Sequence, residues 1–283
     1  MTIKYLANRV QGTRAERFPS LKSTGISLTG CKAYYPFNEG AVNYAITTNG
    51  FPDGLGSVIN GTYSVNDPNG SITPTEGISG NGGLALGGVA AGDGQNIICG
   101  TNTTISGTGD FTYSIWCKPF KQAANGNRML LGNYGSLNSG GVNCTQGNTE
   151  GNELYLAEGD SNKVKYYHPS GGAASTAGIP YNAWVHIAVT RASGALKIYI
   201  NGAVDGTSTD SGSVDGCHMR IGGLAKTSES FAGSLAEASI WSRALTAAEI
   251  LSLSSLGSAT VFDETDTHRS YVKTSATEWT EVT

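Results

Sequence analysis

The sequence predicts an all-β fold, and three observations carry that expectation. Across residues 181–202 two arms alternate apolar and polar side chains: Val185, Ile187 and Val189 oppose His186, Ala188 and Thr190, and Leu196, Ile198 and Ile200 oppose Lys197 and Tyr199. Asn201-Gly202 closes the second arm with a pair that tolerates the positive φ of a tight hairpin turn. Forty glycines among 283 residues, with 14% charged and 39% apolar residues, suit many short strands joined by many turns. The length accommodates one large β domain with extensions. Disorder is not expected, because the net charge is only −4 and 13 Tyr, 4 Trp and 7 Phe are available for a core.

Residues 1–30 form a basic arm, in which Lys4, Arg9, Arg14, Arg17 and Lys22 face the single acid Glu16. The arm carries +4, so the rest of the chain carries −8. That contrast favours docking of the arm on its own body or on a neighbouring subunit. The arm lacks the dense Lys/Arg run and interleaved aromatics of a nucleic-acid binder, so no nucleic-acid partner is expected. Residues 49–110 are rich in Gly, Asn, Ser and Thr and read as short strands, at 57–59 and 82–86, within long loops. Residues 133–152 and 168–178 read as Gly-rich loops at rims or sheet edges. One short helix is expected over 245–250, with Thr246 as N-cap and Glu249 three residues on as its capping-box partner. At the C-terminus Tyr271 and Lys273 alternate around Val272, a polar link follows, and Trp279 anchors a return strand. Such a hairpin is marginal alone and should dock on the body or on another subunit.

Several segments together resemble the laminin-G-like domains of the concanavalin A-like superfamily. The stretch from Trp184 through His186 and Arg191 to Gly202 is similar to that family's central hairpin, and residues 34–40 and 111–119 resemble its opening and middle strands. Residues 221–223 and 231–245 resemble its closing strands. The resemblance implies a two-sheet antiparallel jelly-roll sandwich over residues 31–256, between the arm (1–30) and a C-terminal hairpin or tail (257–283). Residues 5–20 resemble the leaders of structural proteins from marine tailed viruses, and residues 262–272 with 278–282 resemble a terminal hairpin of such proteins. These likenesses imply a virion structural protein, a capsid decoration or tail component made in the host cytoplasm. Its partners would be other virion subunits or itself, in a homo-oligomer held by the arm and the C-terminal hairpin, and a host-surface glycan. The alternative is a carbohydrate-binding adhesion module without an assembly role.

The start of the chain has no apolar run after a basic segment, and no window approaches the ~20 apolar residues of a membrane helix, so neither a secretory signal nor a membrane span is expected. Five cysteines, Cys31, Cys99, Cys117, Cys144 and Cys217, show no C-x-x-C spacing and read mostly as buried thiols, with one disulfide as the alternative. For chemistry, Glu153 and Glu158 stand five apart and would point to opposite faces of a regular strand, which leaves no carboxylate pair for glycoside hydrolysis. His168, His186, His218 and His268 are scattered, no G-x-S-x-G elbow occurs, and His186 reads as a packed strand residue, so no enzyme is expected. No cofactor is expected; calcium, which related domains bind, would draw on loop acids such as Asp53, Asp67, Asp93, Asp205 and Asp210, with no ligand set defined. Tyr134, Tyr166, Tyr167 and Tyr181 stand beside polar loops and are the candidate glycan-binding residues, since a ring offers an apolar face to sugar C–H groups. Tyr166 and Tyr167 are adjacent, so at most one points inward on a regular strand.

Overall fold

The computed structural model describes residues 9–12, 24–35, 37, 64–66, 72–78, 82–87, 95–99, 105–122, 125–133, 151–214, 217–223, 229–256, 261–264, 270–273 and 279–282. The first strands are β1 (Arg9–Gly12), β2 (Cys31–Tyr35), β3 (Ser64–Asn66), β4 (Thr73–Glu76), β5 (Gly82–Gly87) and β6 (Asn96–Ile98). β7 (Phe111–Pro119), β8 (Asn127–Gly132), β9 (Glu153–Ala157), β10 (Lys163–His168) and β11 (Gly171–Gly178) follow. Then come β12 (Val185–Ala192), β13 (Ala195–Ile200), β14 (Ala203–Thr209), β15 (Arg220–Ile221) and β16 (Ala232–Trp241). The helix α1 (Ala247–Ser255) precedes β17 (Val261–Glu264), β18 (Ser270–Lys273) and β19 (Trp279–Val282).

Two antiparallel sheets make the sandwich. One has the order β14-β13-β12-β7-β16-β5-β4, with β2 also paired to β16; the other has the order β11-β10-β9-β8-β15-β6-β3. The central hairpin forms as its alternation dictates: Val189 faces Ile198 and Ala192 faces Ala195 across β12 and β13. Asn201 and Gly202, at φ 50° and 83°, make the two-residue turn into β14, where a side chain other than Gly or Asn would be strained. β7 runs over the expected residues, and its Phe111, Tyr113, Ile115 and Cys117 point inward. They meet Leu154, Leu156, Val164 and Tyr166 of the other sheet in one continuous core. The opening strand lies earlier than expected, ending at Tyr35 ahead of Pro36, whose ring nitrogen has no hydrogen to donate to a ladder. The expected strand at 57–59 lies outside the described residues.

Residues 171–178, expected as loop, form an edge strand instead. β11 pairs with β10 and lies against β14, where Asp205 accepts hydrogen bonds from Thr176 N at 3.0 Å and Thr176 Oγ1 at 2.6 Å. The small residues that suggested a loop are what this meeting of sheet edges requires. A Cβ on Gly206 would stand 2.1 Å from the Ala174 carbonyl oxygen.

At one end of the sandwich a buried charge network ties the sheets together. Arg191 follows Val189 on the core face of β12 and is fully buried. Its Nε donates to Gly109 O (3.0 Å), Nη1 to Asp210 Oδ2 (3.3 Å) and Gly212 O (2.8 Å), and Nη2 to Gly107 O (2.8 Å) and Gly109 O (2.7 Å). All five guanidinium N–H groups are satisfied. His168, at the end of β10, meets Asp210 Oδ1 through Nδ1 at 3.0 Å, so one carboxylate joins residues of both sheets. Burial alone would raise the Asp210 pKa, but hydrogen bonds from Ser170 and Gly212 N together with His168 more than offset it and hold the group low.

The outer face of the β7–β12 sheet is covered by the segment that carries α1. The helix is longer than expected and begins as expected: Thr246 Oγ1 accepts from Glu249 N, and Glu249 returns the bond to the Thr246 backbone. Arg243 bonds both Glu249 oxygens, at 2.9 and 2.7 Å, and with the cap holds that carboxyl at a pKa of about 2. Beneath, Trp116 Nε1 donates to Leu253 O at 3.3 Å, and His186 is fully buried with Nε2 2.8 Å from Ser114 Oγ. Burial pushes the His186 pKa down to about 3, which fits the packed reading of this residue.

Cys31, Cys99 and Cys117 are buried free thiols, as expected for most of the set. Cys217 is disulfide-bonded, which is the alternative the sequence left open, and Cys144 lies outside the described residues. At the chain ends β18 and β19 form the expected hairpin, with Lys273 opposite Trp279. β17 joins it, and β1 from the basic arm pairs with β17 in parallel, giving a four-stranded sheet in the order β1-β17-β18-β19.

Because the guanidinium satisfies four backbone carbonyl contacts and a carboxylate at once, Arg191→Met should lower stability by about 3–5 kcal/mol, the loss typical of breaking a buried ion pair. Urea denaturation measures it; a change below about 1 kcal/mol would show that the network is dispensable.

Candidate functional site

The structure separates the three candidate tyrosines that it describes. Val164 and Tyr166 point inward from β10, and Tyr166, only 2% exposed, packs with its ring centroid 5.7 Å from that of Phe111. A ring buried in this way offers no face to a ligand. Tyr167 points outward and is 40% exposed. Tyr181 is half-exposed at one end of the sandwich, and Tyr134 lies outside the described residues.

Around Tyr167 the register assembles a polar face. Tyr167 stands opposite Glu153 on β9, Glu153 opposite Gly132 on β8, and Gly132 opposite Arg220 on β15. Directly opposed residues share a face of the sheet, so this row crosses the outer side of the β8–β11 layer. The row beside it places Lys165 opposite Tyr155, and Tyr155 opposite Met129. Leu154 and Leu156 turn into the core, which fixes Glu153 and Tyr155 as outward. Lys165 reaches Asp160 at 2.7 Å, and Arg220 Nη1 donates to Asn96 Oδ1 at 2.7 Å. Gly132 adds no side chain to the row, and a Cβ there would lie 2.5 Å from the Asn152 carbonyl oxygen.

Glu153 has the most perturbed environment on this face. It is only 7% exposed, and its buried Oε2 has no hydrogen-bond partner among the described residues. Burial, and then the charge of Glu229, push its pKa up to about 8. Tyr155 is raised to about 12 by burial and by Glu153, Glu229, Tyr167 and Asp160. Glu229 comes from a segment whose backbone carbonyl accepts from Met129 N at 3.0 Å. The sequence sets Glu153 and Glu158 on opposite faces and gives no sign of Glu229. β9 ends at Ala157, and Glu158 turns into a 3-10 turn over Glu158–Asp160, where it binds Arg128 Nε at 2.9 Å. The alternation of β9 could have put Glu153 on the outer face; no local signal could have brought Glu229 beside it.

A second cluster holds the residue types of a hydrolase triad in a geometry that does not make one. Ser170 Oγ and Asp210 Oδ1 both lie at His168 Nδ1, at 2.7 and 3.0 Å, while Nε2 meets the Ser213 carbonyl at 3.1 Å. A nucleophilic serine and its orienting carboxylate need opposite nitrogens of the ring. These bonds brace the end of the sandwich. Of the loop acids considered for calcium, Asp205 and Asp210 serve the edge seam and this network, and Asp53, Asp67 and Asp93 lie outside the described residues. Among the described residues no three His, Cys, Asp or Glu side chains gather to hold a metal ion. None of the helices among them is long and apolar enough to cross a membrane.

The rim that carries Tyr181 is built on the Arg128–Glu158 pair and on Asn182 N, which donates to Pro119 O at 2.8 Å. That bond brings Phe120, 40% exposed, to the same end.

Two antiparallel sheets stacked face to face define the class: a β-sandwich of the concanavalin A-like type. Residues 91–251 match the family model described as the concanavalin A-like lectin/glucanases superfamily, and the chain belongs to that family. Among solved structures, the chain is similar to domain 4 of AbnA, an extracellular arabinanase from Geobacillus stearothermophilus, in complex with arabinotriose. That likeness has 19% identity and a TM-score of 0.54, and covers 79% of this chain and 98% of the other. It is also similar to the binding domain of Paraclostridial Mosquitocidal Protein 1, at 16% identity and a TM-score of 0.52, over 69% of this chain and 47% of that one. Both likenesses are of fold. No curated protein matches the sequence.

The raised Glu153 pKa makes a stability prediction. The folded state keeps a proton that the unfolded chain loses above a pKa of about 4.5, so this group's contribution is fully present below 4.5 and is lost as pH rises through 8. Glu153→Gln removes the titration. It should match the parent chain near pH 4.5 and exceed it near pH 9, by on the order of a few kcal/mol in chemical denaturation. Parallel stability–pH curves for the two proteins would contradict the assignment.

Proposed function

We propose that this chain is a carbohydrate-binding module whose site is the outer face of the β8–β11 sheet. Tyr167 carries the reading: its exposed ring stands on a rigid strand beside Glu153 and Lys165 rather than on a loop. A sugar ring laid on such a platform gives C–H groups to the aromatic face and hydroxyls to the polar groups around it. The lectin-like family supports the ligand class, as does a fold neighbour solved with arabinotriose. Host-surface or cell-wall saccharides would then be the partners. The test is calorimetric titration of the full chain against a panel of soluble oligosaccharides and polysaccharides that includes arabinotriose. At least one member should bind, and Tyr167→Ala should weaken it about tenfold, or ~1.4 kcal/mol. A panel with no binder at pH 6.5 would end the reading.

A second reading concerns the chain ends, which we take as an assembly element of the kind a virion structural subunit would carry. The parallel pairing of Arg9–Gly12 with Val261–Glu264 supports it, because arm and tail build one small sheet of their own. Its outer strands, β1 and β19, present the backbone edges through which a second copy would add. Light scattering of the full chain beside a chain lacking residues 1–30 tests this. The full chain should be a symmetric oligomer and the shortened chain a monomer; equal masses would remove the arm from assembly.

A further inference from the structure

Along β10 the outward side chains are Lys163, Lys165 and Tyr167, spaced about 7 Å apart at the usual strand rise. Asp160, in the turn before the strand, answers both cations: its Oδ1 is 3.5 Å from Lys163 Nζ and its Oδ2 is 2.7 Å from Lys165 Nζ. Two ammonium groups therefore share one carboxylate, and all three side chains keep contact with water, at 31%, 28% and 45% exposure. Ion pairs this open are weak and screened by salt, so the carboxylate exchanges readily. The neighbouring strand leaves the approach clear. β11 sets Gly172 opposite Tyr167 and Ala174 opposite Lys165, both exposed, so the side chains facing the ring and the ammonium are a hydrogen and a methyl group. Gly172 is dictated by the fold, since a Cβ there would lie 2.8 Å from the Tyr166 carbonyl oxygen. Beyond them Asp205 is bound to Thr176. Glu153 and Glu229 stand on the opposite flank, Glu153 buried in β9 and Glu229 on the segment bonded to Met129 of β8.

We propose that Lys165 and Lys163 form an acid-recognition subsite, in which a saccharide carboxylate takes the place of Asp160 while a sugar ring lies on Tyr167, so that this face takes uronate-containing saccharides. The inference rests on the carbohydrate reading above and names its ligand class. Lys165 is one outward step from the ring, and its flexible stem brings the ammonium to an acid group on the stacked sugar or on the next one. That both lysines already turn to one carboxylate marks this place on the strand as one that holds an acid. Asp160 is then an internal competitor, which an incoming uronate displaces.

Calorimetry on the full chain tests this with oligogalacturonate, oligoalginate and hyaluronan fragments, each beside its carboxyl-reduced neutral form, and with arabinotriose as a further neutral sugar. At least one acid should bind about tenfold more tightly than its reduced form, and should weaken as salt rises from about 50 to about 300 mM. Lys165→Gln should weaken the acid about tenfold and its reduced form far less, whereas Tyr167→Ala should weaken both. Asp160→Asn, which removes the competitor, should tighten the acid about threefold. Weaker binding of the acid by that variant overturns the exchange. Reduced forms or arabinotriose binding as tightly as the acids overturn the subsite and leave the carbohydrate reading standing. A panel in which neither acids nor neutral sugars bind removes both.

Discussion

A guanidinium cannot be left dry without a partner for every hydrogen, and the end of this sandwich is arranged around that demand. Arg191 lies on the core face of β12, where alternation would call for another Val or Ile. Satisfying it draws in the carbonyls of Gly107 and Gly109 ahead of β7, the carbonyl of Gly212 after β14, and the Asp210 carboxylate. Phe111 lies against it, with the guanidinium carbon 4.8 Å from the ring centroid. Since Asp210 also holds His168, the charge fixes the end of β10 relative to β12, and so fixes the strand that carries Tyr167. The strand that carries Tyr167 is thus tied at its end to a buried ion pair on the core side of its own sheet.

The same strand shows how one sheet divides its labour. Val164, Tyr166 and His168 of β10 serve the interior, while Lys163, Lys165 and Tyr167 face outward. Inward residues are packed or ion-paired. On the outward side charge is spread along the edge, with Asp160 between Lys163 and Lys165, and concentrated around Glu153 and Glu229, where burial makes it costly. Fold and site therefore draw on the same β alternation with opposite chemistry.

Much of this was legible in the sequence. The hairpin at Val185–Ile200, the strand Phe111–Pro119 and the Thr246 cap are local patterns, and each appears where alternation or capping chemistry puts it. Tyr166 and Tyr167 could be sorted only once the phase of the strand was known, and Val164 supplies that phase. The sequence of β11 reads as loop because glycine and alanine signal flexibility in isolation, whereas at its seam with β14 they permit two backbones to touch. The neighbourhood of Glu229 and Glu153, the role of Arg191 and the parallel pairing of β1 with β17 depend on contacts between residues far apart in the chain, and no window of sequence carries them.

The pairing pattern also sets the order in which a growing chain can take its final form. The runs β8–β11 and β12–β14 pair with their sequence neighbours, so residues 127–209 can form ladders soon after they leave the ribosome. Tyr34 and Tyr35 pair with Ser239 and Ala238, and Arg9–Gly12 with Val261–Glu264, strands that are made much later in the chain. Arg9–Gly12 is thus made long before the strand it pairs with, and its place in that sheet waits until Val261–Glu264 follows.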